Sequence, residues 1–164
     1  MRNRDSGKLR EIVRKNRENI SQGYMLCLDP SCGSSSSMPG YAIYRAGEFV
    51  ESGVIYVVPQ WPLHIRLQAI GQCLRSEFGE PDVAVVESIP VRAIGRGRSR
   101  RGHASLLQAV GAMICSVNCS NVIYIDPRIW HRHTQEGWSK GDASDAQAMG
   151  NCVIEILGEI QNYE

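Results

Sequence analysis

Residues 24–58 read YMLCLDPSCGSSSSMPGYAIYRAGEFVESGVIYVV, and this stretch decides the fold. Five apolar residues, Tyr24 to Leu28, form a strand that runs straight into Asp29. GYAIYR (40–45) is a second strand, Ala46-Gly47 a tight turn, and EFVESGVIYVV (48–58) a third strand antiparallel to the second. A carboxylate at the end of a buried strand is costly without a partner, a proton or a metal. Asp-Pro also opens turns, so Asp29 and Pro30 alone leave two readings, turn or site.

Beyond this meander, Pro59 and Pro62 break the sheet. LHIRLQAIGQCLRSEFG (63–79) puts Leu63, Leu67, Ile70, Leu74 and Phe78 on one helical face, and Gly79 and Pro81 stop it. DVAVVES (82–88) is a short, nearly continuous apolar strand, as expected of a central parallel strand covered on both faces. A helix from about His103 to Cys119, a strand VIYID (122–126) and a helix from Ala143 to about Gln161 follow, the last with Ala148, Cys152, Ile156 and Ile160 on one side. The order β-β-β-α-β-α-β-α predicts an α/β fold. Its mixed five-stranded sheet is a three-strand meander followed by parallel strands, flanked by helices.

The 164 residues suit one domain, and the net charge of +1 hides a local imbalance. Residues 1–20 carry seven basic and three acidic side chains, leaving eleven basic and fourteen acidic in the body. The chain therefore divides into a basic N-terminal arm (1–20), a flexible segment or a short helix around Leu9, Ile12 and Val13, and a mildly acidic domain (21–164). Six cysteines without a Cys-x-x-Cys pair, and no secretion signal, predict a reduced, cytoplasmic protein without zinc. The uncharged run from Ala104 to Ile125 is interrupted by Gln108, Ser116, Asn118, Ser120 and Asn121, which argues for a core helix and a strand over a membrane span.

VAVVES repeats the opening logic, an apolar strand ending in Glu87. Parallel strands place Asp29 and Glu87 at one sheet edge, where open α/β sheets bind ligands. In KGDASDAQAMG, Asp142 and Asp145 stand three apart at a helix start and share a face, although either could serve the helix end as a cap. Four carboxylates in one pocket repel unless cations neutralise them, and oxygen-only donors favour Mg²⁺ or Mn²⁺. Two such ions about 4 Å apart serve phosphodiester hydrolysis. VRAIGRGRSRRGH follows Glu87 and carries Arg92, Arg96, Arg98, Arg100 and Arg101, a loop suited to DNA phosphates or simply a solvated basic segment. Trp61, Trp130 and Trp138 are candidates for base stacking, with Trp130 equally suited to the core. His131 and His133 suit nucleic-acid contact better than metal.

The pieces LCLDP, GYAIYRAGEFVESGVI, VAVVES, GHASLLQAVGAMI, IDPRIWH and KGDASDAQAM, spread over residues 24–155, together resemble the RuvC-type Holliday-junction resolvases of the ribonuclease H-like superfamily. DPRIWH and the closeness of Lys140 to Asp142 are most similar to the small phage-encoded branch. The resemblance implies a ribonuclease H-like fold and Mg²⁺-dependent nicking of branched DNA by a homodimer, in a bacterial cell or a phage-infected host. It also implies that Asp29, Glu87, Asp142 and Asp145 are the catalytic, metal-holding acids. Lys140 either contacts the scissile phosphate or pairs with an acid, and the 103–119 helix is either the dimer interface or an ordinary packed helix. Ser31 in place of the family's glycine, a longer Ser-rich loop and the basic arm depart from the pattern. Other branches, flaps or RNA–DNA hybrids are the alternative substrates, and a catalytically inactive nucleic-acid scaffold is the alternative of another class.

Overall fold

The computed structural model describes residues 2–89, 100–132 and 141–162. Helices α1 (Arg2–Lys15) and α2 (Arg17–Gln22) lead into strands β1 (Tyr24–Asp29), β2 (Gly40–Arg45) and β3 (Glu48–Val54). Helix α3 (Leu63–Glu77), strand β4 (Val83–Glu87), helix α4 (Arg100–Val117) and strand β5 (Val122–Ile125) follow. A single turn, α5 (Pro127–Trp130), precedes the long helix α6 (Asp142–Gln161). The five strands form one sheet in the order β3-β2-β1-β4-β5. β1 pairs antiparallel with β2 and parallel with β4, and β4 pairs parallel with β5. This is the mixed sheet expected from the meander and its crossovers.

The strand periodicity of two divides the interior into two cores. Met25 and Cys27 of β1, with Val83 and Val85 of β4, face α6 and α1. Leu26 and Leu28, with Ala84 and Val86, face Ile70 and Leu74 of α3 and Met113 and Val117 of α4. β1 and β4 are thus buried on both faces, which is why they read as unbroken apolar runs. The face expected on the last helix is buried at Ala148, Cys152, Ile156 and Ile160. α6 also comes close to the sheet: a Cβ on Gly150 would lie 2.5 Å from Cζ and 2.7 Å from Oη of Tyr44. The Tyr44 hydroxyl bonds to the Gln147 carbonyl at 2.8 Å and to Asn151 Oδ1 at 2.7 Å, so this close packing strands no polar group.

Of the two readings of the basic arm, the structure has the helix: Leu9 and Val13 are buried against α6 and β5, and Arg10 pairs with Glu159. Ile20 of α2 enters the same core. Strand β3 stops at Val54, short of Val58, because its partner β2 begins at Gly40, opposite Val54. The next residue, Ile55, donates to the Pro39 carbonyl at 2.8 Å, and the alternation continues with Ile55 and Val57 buried and Tyr56 and Val58 exposed. The uncharged run at 104–125 supplies α4 and β5, and no helix among the described residues is long and apolar enough to cross a membrane.

Candidate active site

The register carries the first two acids to one edge. Leu28 pairs with Val86 across parallel strands, and Asp29 and Glu87 are the next residue on each. On the other side of β1, Asp29 lies opposite Gly40. The first turn of α6 rests on that glycine. A Cβ there would stand 3.0 Å from the Ala143 nitrogen and about an ångström inside the closest approach real Cβ atoms make to the Asp142 carbonyl. The backbone of α6 therefore reaches the edge strand position beside Asp29 only because residue 40 has no side chain. Asp142 and Asp145 stand on the first turn of this helix.

All four acids line one open cleft of about 880 Å³. Its other walls are the Ser-rich loop (Ser31, Cys32, Ser34, Ser36, Ser37), Leu63 and Arg66 of α3, the start of α4 (Gly102, Ser105, Leu106), and Pro127, Trp130 and His131. Arg66 is the only Lys or Arg among the described lining residues, against four carboxylates. Its Nη1 donates to the carbonyls of Cys32 at 2.9 Å and Gly33 at 2.8 Å. Burial pushes the Cys32 thiol up, an effect the neighbouring Arg66 guanidinium partly offsets.

Asp142 does not cap its own helix. The cap position is Gly141, with no side-chain bond, and Asp142 is the first helical residue. Both of its carboxylate oxygens are held by the Ser-rich loop: Oδ1 accepts from Ser37 Oγ at 3.0 Å and Oδ2 from the Met38 N–H at 2.8 Å. Asp126 is a true cap. It accepts from the Arg128 N–H at 2.8 Å and pairs with the Arg128 guanidinium, which holds its carboxyl below the usual range.

The donor set fits a hard divalent cation in its chemistry, since carboxylates from three elements line one cleft. The carboxylates are not drawn together round one point. Among the described residues no group of three or more His, Cys, Asp or Glu side chains stands within ion-holding distance.

Trp130 belongs to the core, 1% exposed, with His131 stacked on it at 3.9 Å between ring centroids. His131 nevertheless lines the cleft. Trp61 is exposed at the start of the α3 segment. Arg92, Arg96, Arg98, His133, Trp138 and Lys140 lie outside the described residues. Arg100 and Arg101 begin α4, whose third residue, Gly102, lines the cleft. Sequence reasoning missed Arg66. The only signal for it was a lone arginine at the start of an otherwise uncharged helical turn.

Neither a protein-family model nor a curated protein sequence matches the chain. Solved structures do. RuvC of T. thermophilus in complex with a Holliday junction substrate superposes with a TM-score of 0.63 at 13% identity, covering 84% of this chain and 95% of that one. A second Thermus thermophilus RuvC structure gives 0.58 at 14% identity, covering 84% and 96%. The yeast mitochondrial Holliday junction resolvase Ydc2 gives 0.58 at 12% identity, covering 96% of this chain and 88% of that one. The fold of this chain is thus the RuvC-type, ribonuclease H-like fold.

Proposed function

We propose that the protein is a divalent-metal-dependent, structure-selective endodeoxyribonuclease that resolves four-way DNA junctions by paired phosphodiester hydrolysis. The observation that carries this reading is the convergence of Asp29, Glu87, Asp142 and Asp145 from β1, β4 and α6 on one cleft of a RuvC-type fold. These four side chains would hold Mg²⁺, with Mn²⁺ as a substitute and two ions per site. Bound there, such ions would supply the positive charge that activates water and stabilises the leaving oxygen in phosphodiester hydrolysis.

The protein's own groups do the rest. Arg66 at the cleft wall offsets part of the acidic field that a phosphate backbone meets on entry. The arginine-rich segment Arg92–Arg101 would bind DNA phosphates, and Lys140 would either contact the scissile phosphate or pair with an acid, so affinity falls steeply with salt. A four-way junction has two-fold symmetry, and a homodimer with one site per subunit matches it. Ala104, Leu107, Gln108, Gly111 and Cys115 form an exposed, uncharged strip along α4 that suits this contact.

The test is a labelled panel of four-way junction, three-way branch, flap, duplex and RNA–DNA hybrid with Mg²⁺ or Mn²⁺, cut by wild type and by Asp29→Asn. Symmetric paired nicks in the junction, lost in the variant, support the proposal. Preferred cutting of another substrate retains the metal site and overturns the junction assignment. Junction binding without cleavage by either protein makes the chain a scaffold.

A further inference from the structure

The Ser-rich loop between β1 and β2 is bonded on one side to α3, through Arg66, and on the other to α6, through Asp142. We propose that Arg66 and Ser37 are positioning residues: Arg66 braces the loop, and Ser37 presents the Asp142 carboxylate to a divalent cation. This rests on reading the cleft as a metal site.

The brace begins at Arg66, whose Nη1 grips two successive carbonyls, those of Cys32 and Gly33, at 2.9 and 2.8 Å. Gly33 has φ +66, and a side chain there would collide with Val57, so this turn requires glycine. Ser31 is 4% exposed; its hydroxyl accepts from the Gly33 N–H at 3.2 Å and donates to the Ser37 carbonyl at 2.9 Å. Ser37 Oγ lies 3.0 Å from both Ser31 Oγ and Asp142 Oδ1. A serine hydroxyl has one proton and a carboxylate has none to give, so the Ser37 proton goes to Asp142. The Met38 N–H fixes the second oxygen at 2.8 Å.

A continuous path therefore runs from the Arg66 guanidinium in α3 through the loop backbone, the buried Ser31 hydroxyl and the half-buried Ser37 hydroxyl to both oxygens of Asp142. Hydrogen bonds to a ligating carboxylate orient it and tune its basicity, and their loss typically costs 10–100-fold in metal affinity. Helix-end stabilisation does not explain the arrangement, because the bonds cross to another element and leave the α6 cap position without a side-chain partner.

The experiment measures Mn²⁺ binding to the metal-free, full-length protein by calorimetry and by the electron paramagnetic resonance of free Mn²⁺. The proteins are wild type, Ser37→Ala, Ser37→Thr, Arg66→Lys and the Ser37→Ala/Arg66→Lys double variant, with the two single changes repeated in an Asp142→Asn background. Unfolding temperature without metal is recorded for each. We expect Ser37→Ala to weaken Mn²⁺ binding about 10-fold and Ser37→Thr, which keeps the hydroxyl, to restore it. Arg66→Lys should weaken it in the same sense. The double variant should be no weaker than the poorer single one, because both act through one path. With Asn at 142 neither change should matter. Unchanged or tighter binding in Ser37→Ala overturns the proposal, as does an equal loss in the Asp142→Asn background. A raised KM for junction DNA with unchanged Mn²⁺ affinity in Arg66→Lys makes Arg66 a phosphate contact and also overturns it. Failure of the metal reading itself looks different: wild type and Asp142→Asn alike then bind no Mn²⁺.

Discussion

Gly40→Ala tests whether the acids are brought together by the approach of α6 to the β1–β2 edge. The backbone of Gly40 is not in the left-handed region, so alanine meets no intrinsic strain there. What it meets is α6: its Cβ would lie 3.0 Å from the Ala143 nitrogen and overlap the Asp142 carbonyl. These are backbone atoms, which cannot rotate aside as a side chain would. The first turn of α6 must retreat by about an ångström, taking Asp142 and Asp145 with it. Overpacking of this kind costs about 1–3 kcal/mol, which for a chain of this size lowers Tm by about 2–12 °C. The larger effect falls on catalysis, since a displacement of 1 Å at a reacting centre costs about 100-fold. The assay is single-turnover junction cleavage with excess enzyme, well below Tm, beside junction affinity measured without metal. The expected result is a roughly 100-fold slower cut with affinity within about two-fold. Cleavage by Gly40→Ala at the wild-type rate would refute the reasoning, because the helix would then tolerate the alanine without moving the site.

Other outcomes follow from the same geometry. Leu9→Ala should destabilise the protein by about 2–5 kcal/mol, read from denaturant unfolding, because Leu9 of α1 is 3% exposed; an unstructured arm would lose nothing. Tyr44→Phe removes the hydroxyl bonded to Gln147 and Asn151 and should cost about 1–3 kcal/mol at unchanged cleavage rate per folded molecule. Stability should fall in alkali. Burial pushes the Cys152 thiol and the Tyr24 phenol each up to about 12, the first from 9.0 and the second from 10.0, and raises Cys27 further. The unfolded groups ionise first, so their contribution is intact below about pH 9 and is lost as pH climbs to 12. Urea midpoints from pH 8 to 11 should decline, and a Cys27→Ala/Cys152→Ala variant should decline less steeply. Native-state thiol labelling should reach exposed Cys115 first and buried Cys27 and Cys152 last.

The sheet was legible because burial on both faces leaves an unmistakable trace. TyrMetLeuCysLeu before Asp29 and ValAlaValVal before Glu87 have no room for a polar residue, and their parallel pairing explains why. Asp29 and Glu87 stood out for the same reason, as the first charges after such runs, and Asp142 and Asp145 by their spacing of three at a helix start. The N-terminal helix was only half legible. Its buried residues, Leu9 and Val13, make a stripe one residue wide, and contact with α6 rather than local pattern orders them. Arg66 was hidden for a different reason. It bonds to the carbonyls of Cys32 and Gly33, and backbone acceptors have no letter in a sequence. The role of Asp142 was hidden likewise, since one of its two loop donors is a main-chain N–H.

The site and the fold meet at one register. Pairing Tyr24 with Arg45 commits the antiparallel ladder to place Gly40 opposite Asp29. A slip of one residue would turn Asp29 toward the other face of the sheet. It would also put Tyr41, whose ring packs edge-on against Phe78 at 4.6 Å, where α6 needs bare backbone. The same pairing therefore performs two tasks: it aims the first acid at the sheet edge and clears the ground on which the helix carrying Asp142 and Asp145 lands. The Ser-rich loop spans the gap this creates between β1 and β2. By bonding to Asp142 from Ser37 and Met38, it ties the helix to the ladder that admitted it. The Ser-rich loop thus couples the register of β1 and β2 to the position of the first turn of α6.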